Sequence, residues 1–319
     1  MYFGGGSPSI LNADELQQLF DVLNKHLDVS ELKEVTLESN PDDHTSEKLE
    51  LWRSLGIDRL SIGIQSFIDR DLKFMNRAHN AEEARHCVAR ARAAGFEALT
   101  IDLIYGIPGQ SHTEWQSNVQ KAIQLEVDHI SAYCLTVEER TALHHQVEKG
   151  HVEEVSDEEI EKQYLFLHRK LEDCGFEHYE ISNFAKAGKR AQHNRSYWKG
   201  TPYIGIGPAA HSFDGQQTRR WNIANNPLYI KALANNTPYW ESETLTETER
   251  TNEILITGLR TRKGVDLNQL PESHRNSIQA QTENYQAKHP GLLVLEEGLL
   301  RMNPEAWLLT DQVLKEVVF

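Results

Sequence analysis

A chain of 319 residues has room for one large domain and a smaller one. Apolar residues make up 39% and charged residues 25%, the balance of a globular protein with a sizeable core. The net charge of −15 excludes a general phosphate-binding surface for nucleic acid, though not a local anion pocket.

No apolar run approaches the roughly 18 residues of a membrane span, so only peripheral membrane contact stays open. Cys87, Cys134 and Cys174 are too widely spaced for a disulfide framework or a metal cluster, and a reducing cytoplasm is the expected location.

The chain opens MYFGGGSPSI, with three glycines after only two strand-like residues. Asn12 and Glu15 then form a capping box before a helical stripe of Leu16, Leu19, Phe20, Leu23 and Leu27. A strand follows at residues 34–37, a helix through Leu49, Trp52 and Leu55, and a strand at 59–64. Asn80 and Glu83 cap a helix whose inner face is Ala84, Cys87, Val88 and Ala91; residues 98–104 are a strand. Ser111 and Glu114 cap a helix carrying Trp115, Val119 and Ile123, and 129–135 is another strand. A long helix runs from Ser156 to about Cys174, with Ile160, Tyr164, Leu167 and Leu171 inward. Strands alternating with helices imply a parallel sheet, as a barrel or doubly wound.

The organisation expected is a barrel over 1–175, a connecting segment over 176–225 rich in glycine and aromatics, and a helical domain over 226–319. The last ends in a hairpin, LLVLEEGLLRMN, and resembles a winged helix. Residues 266–319 carry four Lys/Arg against eight Asp/Glu, so this wing is not expected to touch DNA.

In a parallel βα barrel, chemistry sits just past the C-terminal strand ends. Those positions hold Gly4, Gly5, Gly6 and Ser7; Glu38, Asn40 and Pro41; Gln65 and Ser66; Asp102; and Tyr133 and Thr136, with Arg77 beyond the Gln65 strand. Turn and cap chemistry accounts for Asn40, Pro41 and Ser111, but fits Glu38, Gln65 and Asp102 poorly. A glycine run at a strand end lets a ligand approach the backbone closely. GIGPAA, residues 205–210, matches a dinucleotide fingerprint, but Pro208 interrupts it and no helix follows.

YFGGGSPSIL, LESNPD, RLSIGIQSF, MNRAH, TIDLIYGIPGQ, HISAYCLTVEERT, QHNRSYW and YIGIGPAAHSF occur in order. They resemble the radical S-adenosylmethionine proteins related to oxygen-independent coproporphyrinogen III oxidase, and most closely their HemW branch of heme chaperones. The resemblance covers essentially the whole chain. It implies an α/β fold: a partial (β/α)6 radical-SAM barrel lacking its first βα unit, with a winged-helix-like C-terminal domain. It also implies S-adenosylmethionine contacts at Gly5, Gly6, Ser7, Glu38, Gln65, Arg77, Asp102 and Thr136; Ser7 stands where threonine is expected.

The family's C-x-x-x-C-x-x-C, which holds a [4Fe–4S] cluster, does not occur here. The resemblance places Met1 inside the second strand, so a cluster segment is expected upstream. Without it, no cluster and no reductive cleavage of S-adenosylmethionine are expected, and all three cysteines read as core thiols.

The resemblance also implies heme binding at H-N-x-x-Y-W, here His193, Tyr197 and Trp198, with His211 a second candidate. The residues alone favour a capping or core histidine; the heme reading comes from the resemblance. The function expected is a heme chaperone delivering heme to apo-proteins, favoured by SIGIQSF and HNRSYW. The alternative is a coproporphyrinogen III oxidase. An aldolase-like barrel would need a catalytic lysine or a metal triad at strand ends, and neither is found.

Overall fold

The computed structural model describes residues 1–319. The chain divides into two compact units, Met1–His178 with Ser182–Ala191, and Tyr179–Ile181 with Gln192–Phe319.

The first unit begins with β1 (Tyr2–Phe3), α1 (Ala13–Leu23), β2 (Thr36–Ser39), α2 (Ser46–Ser54) and β3 (Arg59–Gln65). It continues with α3 (Asp69–Phe74), α4 (Ala81–Ala93), β4 (Ala98–Tyr105), α5 (His112–Gln124) and β5 (His129–Cys134). After α6 (Ala142–Glu148) and α7 (Asp157–Asp173) come β6 (Glu177–Glu180) and β7 (Asn183–Ala185). The expected capping boxes form at Asn12, Asn80 and Ser111, each satisfying two otherwise orphaned amides.

The sheet order is β1-β2-β3-β4-β5-β7-β6, and β1 to β5 pair in parallel. Each crossover therefore advances in one direction. With right-handed crossovers this keeps every helix on one side of the sheet, the arrangement of an open barrel and not of a doubly wound sheet. β7 closes on β5 antiparallel.

Alternation decides which face packs. Leu37, Leu60, Ile62, Ile64, Leu99, Ile101, Leu103 and Ile130 are fully buried, as are Leu16, Trp52, Ala84, Cys87, Ala91, Trp115 and Val119 of the helices. The intervening strand positions, Glu38, Ser61, Gly63 and Asp102, are polar or small and line the opposite face.

The second unit holds α8 (Gln192–Trp198), β8 (His211–Phe213), β9 (Thr218–Asn222), α9 (Asn226–Ala234) and β10 (Trp240–Thr244). β8, β9 and β10 form an antiparallel sheet of order β10-β9-β8. Then come α10 (Glu247–Gly258), β11 (Val265–Asp266), α11 (Glu272–Lys288), β12 (Leu293–Glu296), β13 (Leu299–Met302) and α12 (Thr310–Val317). The expected hairpin is β12–β13, turning at Glu297 and Gly298, both at positive φ as a tight primed turn requires. β11 pairs with β13, and the helices pack Leu255, Ile278, Trp307 and Val313 into this unit's core.

Several expectations change. β10 lies inside the stretch expected to hold only helices and the terminal hairpin, and pairs with β9 of the connecting segment. α1 stops at Leu23, so Leu27 falls in a turn, and Leu19 is 38% exposed because only Leu16 and Phe20 of the stripe face the sheet. Cys87 is a core thiol, but Cys134 is half-buried and Cys174 exposed, because Cys174 is the cap residue beyond the last turn of α7. GIGPAA precedes a β-strand, not a helix, so the dinucleotide fingerprint has no structural context. No helix is long and apolar enough to cross a membrane.

Candidate functional site

Two places in the molecule carry chemistry, one in each unit. The first is a cavity of about 140 Å³ at the C-terminal ends of the parallel strands. Its wall begins in the glycine loop after β1. A side chain at Gly4 would place its Cβ 2.6 Å from Glu38 Oε1 and 2.5 Å from the Tyr2 ring, so it would displace the carboxylate and the ring that orients it. Gly5 takes φ +80° and its amide donates to Glu38 Oε2 at 3.2 Å. Tyr2 donates its hydroxyl to Glu38 Oε1 at 2.6 Å. The short first strand and the glycine run thus orient one carboxylate, and Gly6 and Ser7 face the cavity beside it.

β2 supplies Glu38 and Ser39, with Asn40 just beyond it; β3 supplies Ser61, Gly63 and Gln65; β4 supplies Asp102. Glu38 stands opposite Ser61 in the ladder, and Ser61 Oγ lies 3.5 Å from Asp102 Oδ1. Gln65 adopts φ +64°, a left-handed conformation that a glutamine holds only when its surroundings enforce it. Gly63 makes room: a Cβ there would sit 2.9 Å from Gln65 Nε2 and 3.1 Å from Arg77 Nη2. Arg77 donates to Asn40 Oδ1 at 2.5 Å and reaches the Gly63 carbonyl at 3.5 Å.

The enforcement of Gln65 comes from behind. Ser66 donates to Asp71 Oδ2 at 2.9 Å, Gln110 Nε2 donates to the same oxygen at 2.6 Å, and Asn118 donates to Ser66 Oγ at 2.9 Å. Asn118 also accepts from the Phe67 amide at 3.1 Å. Ser66, Asp71 and Asn118 are buried, so this network rigidly sets the turn that carries Gln65 and leads to Arg77.

The cavity holds two carboxylates and one guanidinium. Burial raises the Asp102 carboxyl from 3.8 to about 7; hydrogen bonding from Ser131 opposes this, Glu38 adds to it, and Ser61 and Arg77 oppose it. A cation placed beside Asp102 would restore its ionised form.

The second place is α8. His193 and Tyr197 sit one turn apart with ring centroids 4.8 Å apart, edge to face. Tyr197 in turn meets Tyr203 at 4.8 Å. Tyr197 is 45% exposed, and Trp198 is half-buried at the next position. His211 is exposed on β8, with its ring 6.4 Å from that of Trp221.

A model of the radical SAM superfamily matches residues 1–122, and one of the HemN C-terminal domain matches 245–309. The heme chaperone HemW of Bacillus subtilis is 34% identical over 316 residues, covering 98% of this chain and 81% of the relative. The chain belongs to the HemW family of radical S-adenosylmethionine proteins. HemW of Mycobacterium tuberculosis is also 34% identical, over 98% of this chain and 77% of the relative. The coproporphyrinogen III oxidase HemN of Escherichia coli superposes with a TM-score of 0.79 over 99% of this chain and 77% of that one; at 20% identity it shows the shared fold.

Within this HemW-family barrel, the structure gathers Gly6, Ser7, Glu38, Gln65, Arg77 and Asp102 around one cavity, with Gly5 bonded at its edge. Thr136 is not among them: it lies two residues past β5, exposed, with its hydroxyl 3.3 Å from Glu138. Ser61 and Gly63 escaped sequence reasoning, although the alternation in RLSIGIQ puts them on the Gln65 face. Asn40, read as turn chemistry, holds Arg77.

The donor set suits S-adenosylmethionine. Arg77 matches a carboxylate, Glu38 an ammonium, and Asp102 a sulfonium or ribose hydroxyls. The three cysteines lie apart: Cys87 is buried in α4, Cys134 ends β5 and Cys174 follows α7.

Proposed function

We propose that this protein binds heme at α8 and passes it to apo-proteins, and that its strand-end cavity holds S-adenosylmethionine. The observation that carries the heme reading is the His193–Tyr197 pair, in a chain whose 34% identity to a heme chaperone runs through 98% of its length. An imidazole on a half-exposed helical turn can coordinate heme iron while an adjacent aromatic edge packs against the macrocycle. Heme is the cargo here, and its release needs no bond making within the porphyrin.

In the cavity, Arg77 would bind and orient the ligand's carboxylate from its anchor on Asn40. Glu38, itself held by Tyr2 and Gly5, would accept from the ammonium. Asp102 would carry a proton below about pH 7 and release it as a cation enters. S-adenosylmethionine supplies, when bound, a sulfonium with weakened carbon–sulfur bonds. The alternative, coproporphyrinogen III oxidation, has only the shared fold in its favour.

Heme titration followed by gel filtration tests the reading. Stoichiometric retention with a defined Soret band is expected, with transfer to an apo-hemoprotein acceptor. His193→Ala should move the band and speed heme loss without changing far-UV circular dichroism. A wild-type protein that elutes without heme refutes the reading.

A further inference from the structure

We propose that His79 is a positioning residue for the strand-end cavity, holding Gln65 and Arg77 ready for a ligand's carboxylate through one backbone oxygen, that of Ile64; this rests on the reading that the cavity takes S-adenosylmethionine. His79 Nε2 lies 3.0 Å from the Ile64 carbonyl oxygen, and the Ser66 amide donates to the same oxygen at 2.8 Å. The Ser66 bond closes a three-residue turn with Gln65 at its centre, at φ +64°. A γ-turn of that hand is rare and strained, and it persists only where its surroundings over-determine it. A carbonyl oxygen has two lone pairs; here one closes the turn and the other is held by His79.

His79 also ends the loop that carries Arg77. The loop leaves α3 through Asn76 at φ +53°, and the Arg77 amide donates back to the Leu72 carbonyl at 2.9 Å. Asn80, next after His79, caps α4. Arg77 is thus suspended between the end of α3 and the His79 anchor two residues on, and its guanidinium reaches from there to Asn40 and the Gly63 carbonyl. One oxygen therefore ties the loop of Arg77 to the turn of Gln65.

Packing alone does not call for a histidine here. The side chain is wholly buried, and burial lowers its pKa, so the ring is neutral. A carbonyl can only accept, which puts the proton on Nε2 and leaves Nδ1 a bare acceptor. Nδ1 has no hydrogen-bond partner, and the Asp42 carboxylate 3.9 Å away is itself an acceptor. A stranded buried acceptor costs stability, so a leucine of similar bulk would pack at least as well. What leucine lacks is the donor to Ile64.

Calorimetric titration with S-adenosylmethionine and with its decarboxylated form, which lacks only the carboxylate, tests the assignment. Wild type should prefer the carboxylated ligand. His79→Leu should weaken that ligand by roughly tenfold and leave the decarboxylated one within about twofold, because only the contact made through Arg77 is lost. His79→Gln, whose amide can donate to the same carbonyl, should keep the preference. Arg77→Ala should abolish it, and adding His79→Leu to Arg77→Ala should then change nothing further. In the ligand-free protein, hydrogen exchange in peptides spanning 62–68 and 75–80 should rise in His79→Leu and return to the wild-type rate in His79→Gln. Equal weakening of both ligands by His79→Leu makes the residue a general stabiliser and overturns the proposal, as does wild-type behaviour of that variant in titration and exchange. A wild-type protein that does not distinguish the two ligands removes the S-adenosylmethionine reading, and the proposal falls with it. Should His79→Leu not fold, the comparison is read on His79→Asn, whose shorter amide falls short of the Ile64 carbonyl, against His79→Gln.

Discussion

Asp102→Asn should stabilise this protein at neutral pH and weaken its cavity's affinity for a cation. The carboxyl titrates at about 7 in the fold against 3.8 in the unfolded chain, because burial penalises its charged form. The folded state therefore binds the proton more tightly, and between these two values stability falls as pH rises. Above pH 7 the whole difference is felt, about 4 kcal/mol as a ceiling. Asparagine preserves the shape and removes the charge, with Ser61 positioned to accept from its amide.

His44 runs in the opposite sense. It is buried, burial lowers it from 6.5 to about 4, and protonation must break its neutral site. Its contribution is present above 6.5 and lost as pH falls towards 4, so in wild type the two groups offset each other across the same window. Urea midpoints at pH 4, 6, 7 and 8, at constant m, read the result. The variant should gain about 2–4 kcal/mol at pH 8, shrinking to nearly nothing at pH 4, and its stability should fall steeply below pH 6.5. In calorimetry, S-adenosylmethionine affinity should rise through pH 7 for wild type and stay flat and weaker for the variant. A variant offset that is equal at every pH, or a loss of stability at pH 8, refutes the buried-carboxylate argument.

Gly63→Ala should keep the fold, because the atoms it meets are ends of side chains; it should displace Gln65 and Arg77 and weaken S-adenosylmethionine binding several-fold in a calorimetric titration. Gly205→Ala meets backbone instead, so a fall of roughly 2 kcal/mol or more is expected in urea unfolding of the second unit; an unchanged midpoint would show that the loop does not press on β8. Asp71→Ala removes the acceptor shared by Ser66 and Gln110 and should cost about 3 kcal/mol. Glu114→Gln, at a more exposed pair with Arg70, should cost less than about 1 kcal/mol; equal losses at the two sites would contradict the burial argument.

Local signals were legible where they act locally. The capping boxes and the buried stripe of Ala84, Cys87, Val88 and Ala91 needed only sequence spacing, because helix ends and helix faces are set within a few residues. β10 was invisible for a physical reason: all five residues of WESET are exposed, so neither face carries an apolar alternation, and pairing with β9 alone holds the strand. α3 has six residues, too few for a period to emerge. In the site, Glu38, Gln65 and Asp102 could be read as charged or amide groups at strand ends. The left-handed backbone of Gln65 could not, because residues more than 40 positions away in Gln110 and Asn118 enforce it. Thr136 stands at an equivalent strand end but is exposed and is not in the cavity's lining; its hydroxyl lies 3.3 Å from Glu138.

The cavity's own electrostatics narrow what it can hold. Glu38 is oriented by Tyr2 and Gly5, one hydrogen bond to each oxygen, and keeps lone pairs for a further donor, while Arg77 is anchored to a neutral partner, Asn40. Arg77 therefore keeps its positive charge for an incoming anion, while burial outweighs its pull on Asp102 and pushes that carboxyl towards protonation. A phosphate or nucleotide would satisfy Arg77 and meet repulsion from Glu38 and from ionised Asp102. A purely cationic ligand would satisfy Asp102 and meet repulsion from Arg77. Only a ligand carrying both signs, with positive charge in excess, relieves the whole lining, and an amino acid bearing an additional sulfonium has that distribution. If the cavity holds S-adenosylmethionine as proposed, the anchoring of Arg77 on Asn40 would keep its guanidinium for the ligand's carboxylate.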